Sequence, residues 1–280
     1  MLRDIKNVLI GLTSEFGPSE ISSAWAYGLS MAKQAGAHAT IQSASLKLRL
    51  HSTWMTTNVA GLVSAENRRL RTVAVTAARR AEANAKAEGI ECTTAVPHLT
   101  YQELLTSFVR LARVHDLTIV DADADILSLD RGLIETLLTQ SGRPLIIVPE
   151  NHEVFKSERI ILAWDGSAKA ARAANDALSL LRAAELVQVI SVTGEKELPD
   201  LTKSADMITH LAYHGVPAVS VCLPADGGDV AETIRTAAKN GRADMIVMGG
   251  FVHSRLRELV LGGVTQSLLR QSPTPLFMSY

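Results

Sequence analysis

The residues with the clearest potential for binding chemistry form a glycine-containing segment near the end of the sequence. The apolar run Met245–Met248 predicts a buried strand; Gly249–Gly250 follow it directly, and Gly262–Gly263 come shortly before Thr265. Glycines allow backbone N–H groups to approach an anion closely, and the start of a helix adds a favourable dipole. Because ligands of open parallel sheets bind at the carboxyl ends of strands, this pattern predicts an anion-binding turn at that edge of a sheet.

A second polar group is predicted at the same edge. The run Arg159–Trp164 predicts a strand, and Asp165, Gly166 and Ser167 follow it. A carboxylate in this position can accept hydrogen bonds from a ligand, but Asp or Ser at such a turn also commonly caps the following helix. The sequence leaves both roles of Asp165 open.

The remaining reactive residue types form no recognisable catalytic or metal-binding pattern. His210 and His214 have the spacing of two zinc ligands on a helix, but the glutamate of a metalloprotease motif and a third nearby ligand are missing, which favours ordinary helix-end residues. The serine-hydrolase elbow and the phosphate loop with its lysine and hydroxyl residue are also missing from the sequence. We therefore expect no catalytic residue and no metal ligand, and an enzyme is the less favoured class.

Charge and composition are those of a folded protein in the cytoplasm. The sequence has 28 Lys and Arg residues against 29 Asp and Glu residues, and 47% of its residues are hydrophobic. This balance disfavours nucleic acids and anionic membranes as partners, and the apolar runs are far shorter than the ~20 residues of a membrane-spanning helix. The N-terminus lacks the pattern of a secretory signal, and the isolated Cys92 and Cys222 suit a reducing compartment. We therefore expect a cytoplasmic location.

The two halves of the sequence repeat one pattern of strands and helices. Asp116–Val120 parallels Asp244–Met248, for example. In each half short apolar strands alternate with helices, which predicts an α/β fold with a mostly parallel, five-stranded sheet flanked by helices. The polar segment Glu150–Glu153 is the predicted linker. We therefore predict two tandem open-sheet domains, at residues 1–150 and 155–280.

The first half is longer and lacks the binding signals of the second. The extra residues of the first half fall near Lys47–Leu70, which predicts a loop or a longer helix inserted after the second strand. We expect this insertion to be a structural cover or a partner surface rather than a catalytic element. Thr13 stands where Asp165 stands in the second half, and the acidic run Asp121–Asp125 replaces the glycine turn. Three carboxylates there would repel a triphosphate. We expect a solvated loop at this run rather than a metal site.

The segment that begins at Gly249 resembles the signature of the universal stress protein family. That signature is a glycine, two residues, a second glycine, nine residues and a glycine followed by Ser or Thr, and it forms the phosphate loop of ATP-binding members. Gly249 and Gly262 match it, whereas Val252 replaces the second glycine and Gly263 replaces the hydroxyl residue. A β-branched residue resists positive φ, and the lost hydroxyl removes a phosphate donor.

The resemblance implies an adenine nucleotide alpha hydrolase-like fold and a site for ATP, with Mg²⁺, in the second half. It places Asp165 at the adenine or ribose edge, beside an apolar slot for the adenine. The implied site residues are Ala163, Asp165, Val192, Met248, Gly249, Gly262, Gly263, Val264 and Thr265. Ala163, Val192 and Met248 suit an ordinary core equally, and a protein without any cofactor is the alternative.

The expected function is that of a universal stress protein, a stress-response module that responds to an adenine nucleotide through assembly or partner binding. A ligand-free interaction protein, a weak ATP-hydrolysing enzyme and a binder of another small molecule are the alternatives. The apolar last strand, Leu276–Met278, is a sheet edge that needs cover. We therefore expect the two halves to pair within one chain, with a homodimer as a further prediction and the protein partner left open.

Overall fold

The structure is a computed structural model of the 280-residue chain, and it describes residues 2, 4–13, 22–49, 57–122, 129–193, 204–225, 227, 229–250, 252–255 and 258–280. The elements of the first half are β1 (Asn7–Thr13), α1 (Ser23–Ala35), β2 (His38–Leu46), α2 (Thr57–Ala87), β3 (Cys92–Ala95), β4 (His98–Leu99), α3 (Tyr101–Ala112), β5 (Leu117–Asp121), α4 (Leu129–Gln140) and β6 (Leu145–Val148). Those of the second half are β7 (Arg159–Ala163), α5 (Ala168–Asp176), α6 (Leu178–Ala183), β8 (Leu186–Thr193), α7 (Ser204–Tyr213), β9 (Ala218–Pro224), α8 (Val230–Gly241), β10 (Met245–Gly249), β11 (Val252–Arg255), β12 (Glu258–Leu261), α9 (Gly263–Arg270) and β13 (Leu276–Ser279).

Eleven of these strands form one continuous sheet. The strand order is β3-β2-β1-β5-β6-β13-β10-β7-β8-β9, with β4 beside β2. All neighbours are parallel except β6 and β13, which pair antiparallel with Leu145 opposite Met278. The α/β class with a mostly parallel sheet is confirmed, and the apolar edge at Leu276–Met278 is covered within the chain as predicted.

The strand register supports the internal repeat. β1 pairs with β5 in the same register in which β7 pairs with β10. In this register Thr13 of the first half is equivalent to Asp165 of the second half, and Asp121 is equivalent to Gly249. The two halves therefore place different side chains at equivalent points of the same sheet edge.

Helices cover both faces of the sheet. On one face α1, α2, α5, α6 and α7 pack against strand residues such as Val8 and Val247. On the other face α3, α4, α8 and α9 pack against residues such as Leu9 and Met248. Because side chains alternate along a strand, each of these nearly unbroken apolar strands supplies both cores.

Serine caps begin the two helices that follow β1 and β7. Ser22 precedes α1 and its hydroxyl accepts the Trp25 N–H at 3.1 Å, while Ser167 precedes α5 and accepts the Ala170 N–H at 3.1 Å. Each cap satisfies one of the backbone donors that a helix start leaves without an internal partner. Short polar turns thus start both helices close to the carboxyl ends of β1 and β7.

One helical stretch differs from the pattern in the sequence, and one insertion follows it. The alanine-rich stretch 168–181 has the periodicity of one helix, but it forms α5 and α6 with a break at Ala177, whose φ and ψ are −89° and 1°. The surplus of the first half is a longer helix, as predicted, because α2 spans 31 residues. His51, Trp54 and Met55, which precede α2, lie outside the described residues.

Tyr27 offers a test of how α1 packs against the segment between the halves. Its ring meets that of Phe155 edge-on, with centroids 5.4 Å apart, and its buried hydroxyl has no hydrogen-bond partner among the described residues. Burial, and to a smaller extent the charge of Asp244, raises the pKa of Tyr27 far above its usual range. An unsatisfied buried hydroxyl costs about 1–3 kcal/mol.

We therefore expect Tyr27→Phe to leave the free energy of unfolding unchanged or to raise it by about 1 kcal/mol, as measured by urea denaturation. Tyr101→Phe is the control, because Tyr101 is 43% exposed. A loss of more than about 1 kcal/mol in Tyr27→Phe alone would show that the hydroxyl is satisfied in solution.

Candidate functional site

The predicted binding residues of the second half converge on one edge of the sheet. Ala163 ends β7, Val192 lies near the end of β8, Gly249 ends β10, and α9 begins at Gly263. β10, β7 and β8 are neighbours in the sheet. The carboxyl ends of three adjacent strands and the start of one helix therefore surround the candidate site.

The apolar residues of the site share one face of the sheet. Met248 is buried in the core covered by α3, α4, α8 and α9, and the partly buried Ala163, Val192 and Val264 pack against the same core. Thr265 is buried at 1% exposure. These side chains thus border the same core, and Ala163, Val192 and Val264 remain partly exposed.

Asp165 shapes the turn between β7 and α5. Its Oδ1 accepts the Ser167 N–H at 2.9 Å, and Gly166 between them has a φ of 73°, which favours glycine. Ser167, rather than Asp165, supplies the cap of α5. The sequence left open whether Asp165 caps α5 or binds a ligand. In the structure Ser167 is the cap, and Asp165 stabilises the turn that precedes the helix.

Gly249 lies directly against the first turn of α5. A Cβ at this position would come within 2.6 Å of the Lys169 carbonyl carbon and 2.7 Å of the Ala170 nitrogen. Real Cβ atoms do not approach backbone so closely, so the packing of β10 on α5 requires glycine here. The resemblance assigned Gly249 to phosphate contact and missed this role. The signal that could have revealed it is the four-residue connection from Ala163 to α5, which holds the helix start close to the sheet.

Gly250, which directly follows β10, contacts the first half of the chain. Its N–H donates to the Ser279 carbonyl at 2.7 Å, and a Cβ on it would meet Leu138 Cδ2 of α4 at 2.6 Å. The N–H of Gly250 is therefore engaged by β13. The strand end that leads into the candidate loop is held by elements of both halves.

The segment after Gly250 folds in part as a hairpin. β11 and β12 pair antiparallel, with Val252 opposite Leu261 and Arg255 opposite Glu258. Antiparallel pairing engages backbone N–H and C=O groups between the two strands. A β-branched residue suits such a strand, which gives Val252 a structural reason to stand where the family signature has glycine.

The start of α9 has no side-chain cap. Gly262 precedes the helix with an extended backbone, φ −62° and ψ 155°, and it is buried, whereas Gly263 is exposed and open space surrounds its Cα. The first N–H groups of an uncapped helix attract anions through their partial positive charge. Gly262, Gly263, Val264 and Thr265 thus lie where the resemblance places the end of a phosphate loop.

The equivalent point of the first half holds a buried carboxylate. Asp121 is 7% exposed, its Oδ1 accepts the Ala24 N–H at 2.8 Å, and its Oδ2 accepts the Ser22 hydroxyl at 2.5 Å. The expectation of a solvated loop is therefore wrong for Asp121, because the start of α1 folds over it; Asp123 and Asp125 lie outside the described residues.

Burial dominates the titration of this carboxylate. Desolvation raises the pKa of Asp121 to about 6, and the charge of Glu150 acts in the same direction. Hydrogen bonds from Ser22, Ala24 and Ser23 oppose the rise. The start of α1 therefore binds its own chain's carboxylate.

Among the described residues, no group of three His, Cys, Asp or Glu side chains could hold a metal ion. His210 and His214 lie at the end of α7 with ring centroids 4.7 Å apart, and the Nε2 of His210 is buried without a partner in the described part of the chain. Within the same residues, every helix is too short or too polar to span a bilayer.

The fold is that of an α/β protein with a mostly parallel sheet, and the candidate site lies at the carboxyl ends of its strands. Residues 156–279 match the model of the Universal stress protein family. This match covers the second half of the chain, and the first half lies outside it. Comparison with curated protein sequences gave no match.

Solved structures extend the likeness of fold to both halves. A universal stress protein from Archaeoglobus fulgidus DSM 4304 superposes with a TM-score of 0.66 at 17% sequence identity, covering 97% of this chain and 95% of its own. A functionally unknown protein from Pseudomonas aeruginosa PAO1 superposes with a TM-score of 0.59 at 13% identity, covering 99% of this chain and 93% of its own. At these identities the comparisons concern the fold alone.

Proposed function

We propose that the second half binds an adenine nucleotide, ATP in the first place, and that the chain acts in the stress response of the cytoplasm through ligand-dependent assembly or partner binding. The observation that carries this proposal is that partly exposed apolar side chains at the ends of β7 and β8 lie at the same sheet edge as the start of α9, which has no side-chain cap. The division into domains at residues 1–150 and 155–280, with the first domain not binding nucleotide, is part of the proposal.

The residues at this edge suit the separate parts of a nucleotide. The adenine ring would pack on Ala163, Val192 and Val264, which border the core that contains Met248. The Oδ2 of Asp165 would accept a hydrogen bond from the adenine or ribose, while its Oδ1 keeps the turn.

The phosphates would lie at the start of α9, where the helix dipole favours negative charge. Mg²⁺ would be held mainly by the phosphates themselves, since the described residues form no cluster of carboxylates there. Gly249 contributes to this arrangement by letting α5 approach β10.

A nucleotide in this position can influence assembly only if it binds two states with different affinities. Gly250 lies against Leu138 of α4 and donates a hydrogen bond to Ser279 of β13. A conformational change in the segment after Gly250 would therefore affect contacts with both halves. A homodimer, or a complex with a partner protein, is the assembly that the proposal expects to respond.

Calorimetric titration of the full chain with ATP and with AMP tests the proposal. We expect Gly263→Asp to abolish binding of ATP, because the new carboxylate would face the phosphates while remaining favourable for the helix start. Asp165→Asn keeps the Oδ1 acceptor of the turn but removes the charge, and we expect it to weaken ATP by about tenfold, or about 1.4 kcal/mol.

The matched control is Gly263→Ala, because a Cβ at Gly263 meets nothing within 4 Å. This variant should bind ATP as the wild type does. If the wild type shows no binding heat with either nucleotide, and no stabilisation by them in thermal unfolding, the nucleotide proposal is wrong.

The second candidate function is that of an interaction module without a ligand. Two observations favour it: α5 fills the space in front of Gly249, and β11 and β12 pair with each other where the family has a phosphate loop. Unchanged oligomeric state in light scattering with and without ATP, together with no binding heat, would establish this alternative.

A further inference from the structure

Helix α2 is much longer than its place in the fold requires. In the second half α7 connects the equivalent strands with ten residues, whereas α2 has 31 and is about 46 Å long. α2 packs into the core through Ala74, Ala78, Ala81 and Ala85, which all lie in its second half. The turns before Ala74 are exposed or only partly buried wherever their side chains are described. Packing against the sheet therefore does not account for these turns of α2.

The outward surface of α2 is basic. The helix contains six Arg and Lys residues but only two Glu residues, in a chain whose net charge is −1. Arg68, Arg79 and Lys86 are spaced by 11 and 7 residues, close to three and two helical turns, so they form one stripe clear of the buried alanines. All three side chains are exposed. We call these three residues the basic stripe.

Among the described residues, no carboxylate forms an ion pair with Arg68, Arg79 or Lys86. Of the two acids of α2, Glu66 is held by Arg69. The exposed Glu82 lies about one turn from both Arg79 and Lys86 and forms no ion pair with either of them.

Neighbouring residues extend the positive surface. The Asn67 side chain bonds both the N–H and the C=O of Leu48, at 2.8 and 3.0 Å, which holds the segment containing Lys47 beside α2. Burial lowers the pKa of His98, and the charges of Lys47 and Arg71 lower it further. The positive charges of this surface thus lower the pKa of His98 in β4.

We propose that the basic stripe of α2 is a docking surface for an acidic helical segment of a partner protein. A chain with net charge −1 has no long-range field to collect a polyanion such as a nucleic acid, so local charge pairing with a short acidic segment fits better. The neighbouring Arg69 shows this chemistry within the chain, because its guanidinium contacts both oxygens of Glu66 at 2.6 to 3.0 Å.

The test measures binding of a fluorescein-labelled acidic peptide to the full chain by fluorescence anisotropy. The peptide is a helix whose glutamates are spaced by about 16 and about 10 Å to match the stripe, and a second peptide has the same composition in scrambled order. We expect the matched peptide to bind more tightly than the scrambled one, with an affinity that falls as salt is raised.

The test variant combines Arg68→Gln, Arg79→Gln and Lys86→Gln. The control variant combines Lys156→Gln, Lys239→Gln and Arg270→Gln, which removes the same charge from exposed positions elsewhere. We expect the first to weaken binding of the matched peptide by about tenfold or more, and the second by less than about twofold. Circular dichroism establishes that both variants remain folded.

Three outcomes would overturn the proposal. They are no binding of the matched peptide to the wild type, equal losses in the two variants, and equal affinity for the matched and scrambled peptides. Tighter binding of a short oligothymidylate or of phosphatidylserine vesicles, lost in the stripe variant, would instead assign the surface to nucleic acid or membrane.

Discussion

A Gly249→Ala variant is expected to have a free energy of unfolding lower by about 2–3 kcal/mol than the wild type. The added Cβ would lie 2.6 Å from the Lys169 carbonyl carbon and 2.7 Å from the Ala170 nitrogen. These are backbone atoms in the first turn of α5, so no side-chain rotation can relieve the overlap. The helix must move away from β10, and the packing of Ala170 and Ala173 against the core is loosened. Urea denaturation followed by circular dichroism measures the loss.

Gly263→Ala is the control for this prediction. Nothing lies within 4 Å of a Cβ at Gly263, and the residue does not have a positive φ. Its free energy of unfolding should stay within about 0.5 kcal/mol of the wild type. Equal stability of the two variants, with ATP binding lost only in Gly249→Ala, would instead show that Gly249 serves the ligand and not the packing of α5.

The second large effect concerns Asp121 and the pH dependence of stability. The folded pKa of Asp121, about 6, lies above its ordinary value of 3.8, so the folded state holds this proton more tightly than the unfolded state does. The resulting stabilisation is fully present below about pH 3.8 and is lost as pH rises through about 6. From about pH 7.5 down to about pH 4.5, protonation of this one carboxyl should stabilise the fold by about 2 kcal/mol.

An Asp121→Asn variant isolates this effect. The amide oxygen can accept the Ala24 N–H, and the amide N–H₂ can donate to the Ser22 hydroxyl oxygen, so the contacts are kept without a charge. We expect the variant to be more stable than the wild type near pH 7.5 and the difference to shrink by about 2 kcal/mol near pH 4.5. Because other groups titrate in both proteins, the difference between the two unfolding curves is the quantity to compare.

Ser22→Ala serves as the companion variant. The Ser22 hydroxyl lowers the pKa of Asp121, so its removal should move the pH-dependent window upward. It also removes the cap of α1, at a cost of about 1 kcal/mol at every pH. A constant difference between wild type and Asp121→Asn over the whole pH range would mean that the carboxylate is hydrated rather than buried.

Asp121 and Gly249 show how one position of the repeat has been used in two ways. In the first half the carboxylate bonds the start of α1, so the donors that could attract a phosphate are taken by the chain itself. In the second half the missing side chain lets α5 pack on β10. The proposed nucleotide site therefore depends on the start of α9 and on the apolar slot, and the first half is expected to bind no nucleotide.

The sequence was sufficient for the features that depend on local pattern. Alternating strands and helices predicted the parallel sheet, because periodicity reports which face of an element is buried. The spacing of matching segments predicted the repeat and an insertion in the first half, left open between a loop and the longer helix that α2 forms. The uncovered apolar strand at Leu276–Met278 predicted the pairing of the halves, since an exposed edge of this kind requires a partner.

Only the tertiary structure decided the roles of individual site residues, because these depend on atoms that are distant in the sequence. Asp121 is bonded by Ser22, which precedes it by 99 residues, and the need for glycine at position 249 comes from Lys169 and Ala170 on another helix. A motif records which residue types are present, but burial and close approach arise only when separate elements pack. For this reason the sequence predicted a ligand site at one edge of the sheet, which stays a prediction, while the fold determined that Gly249 serves packing and that Asp121 is a buried carboxylate.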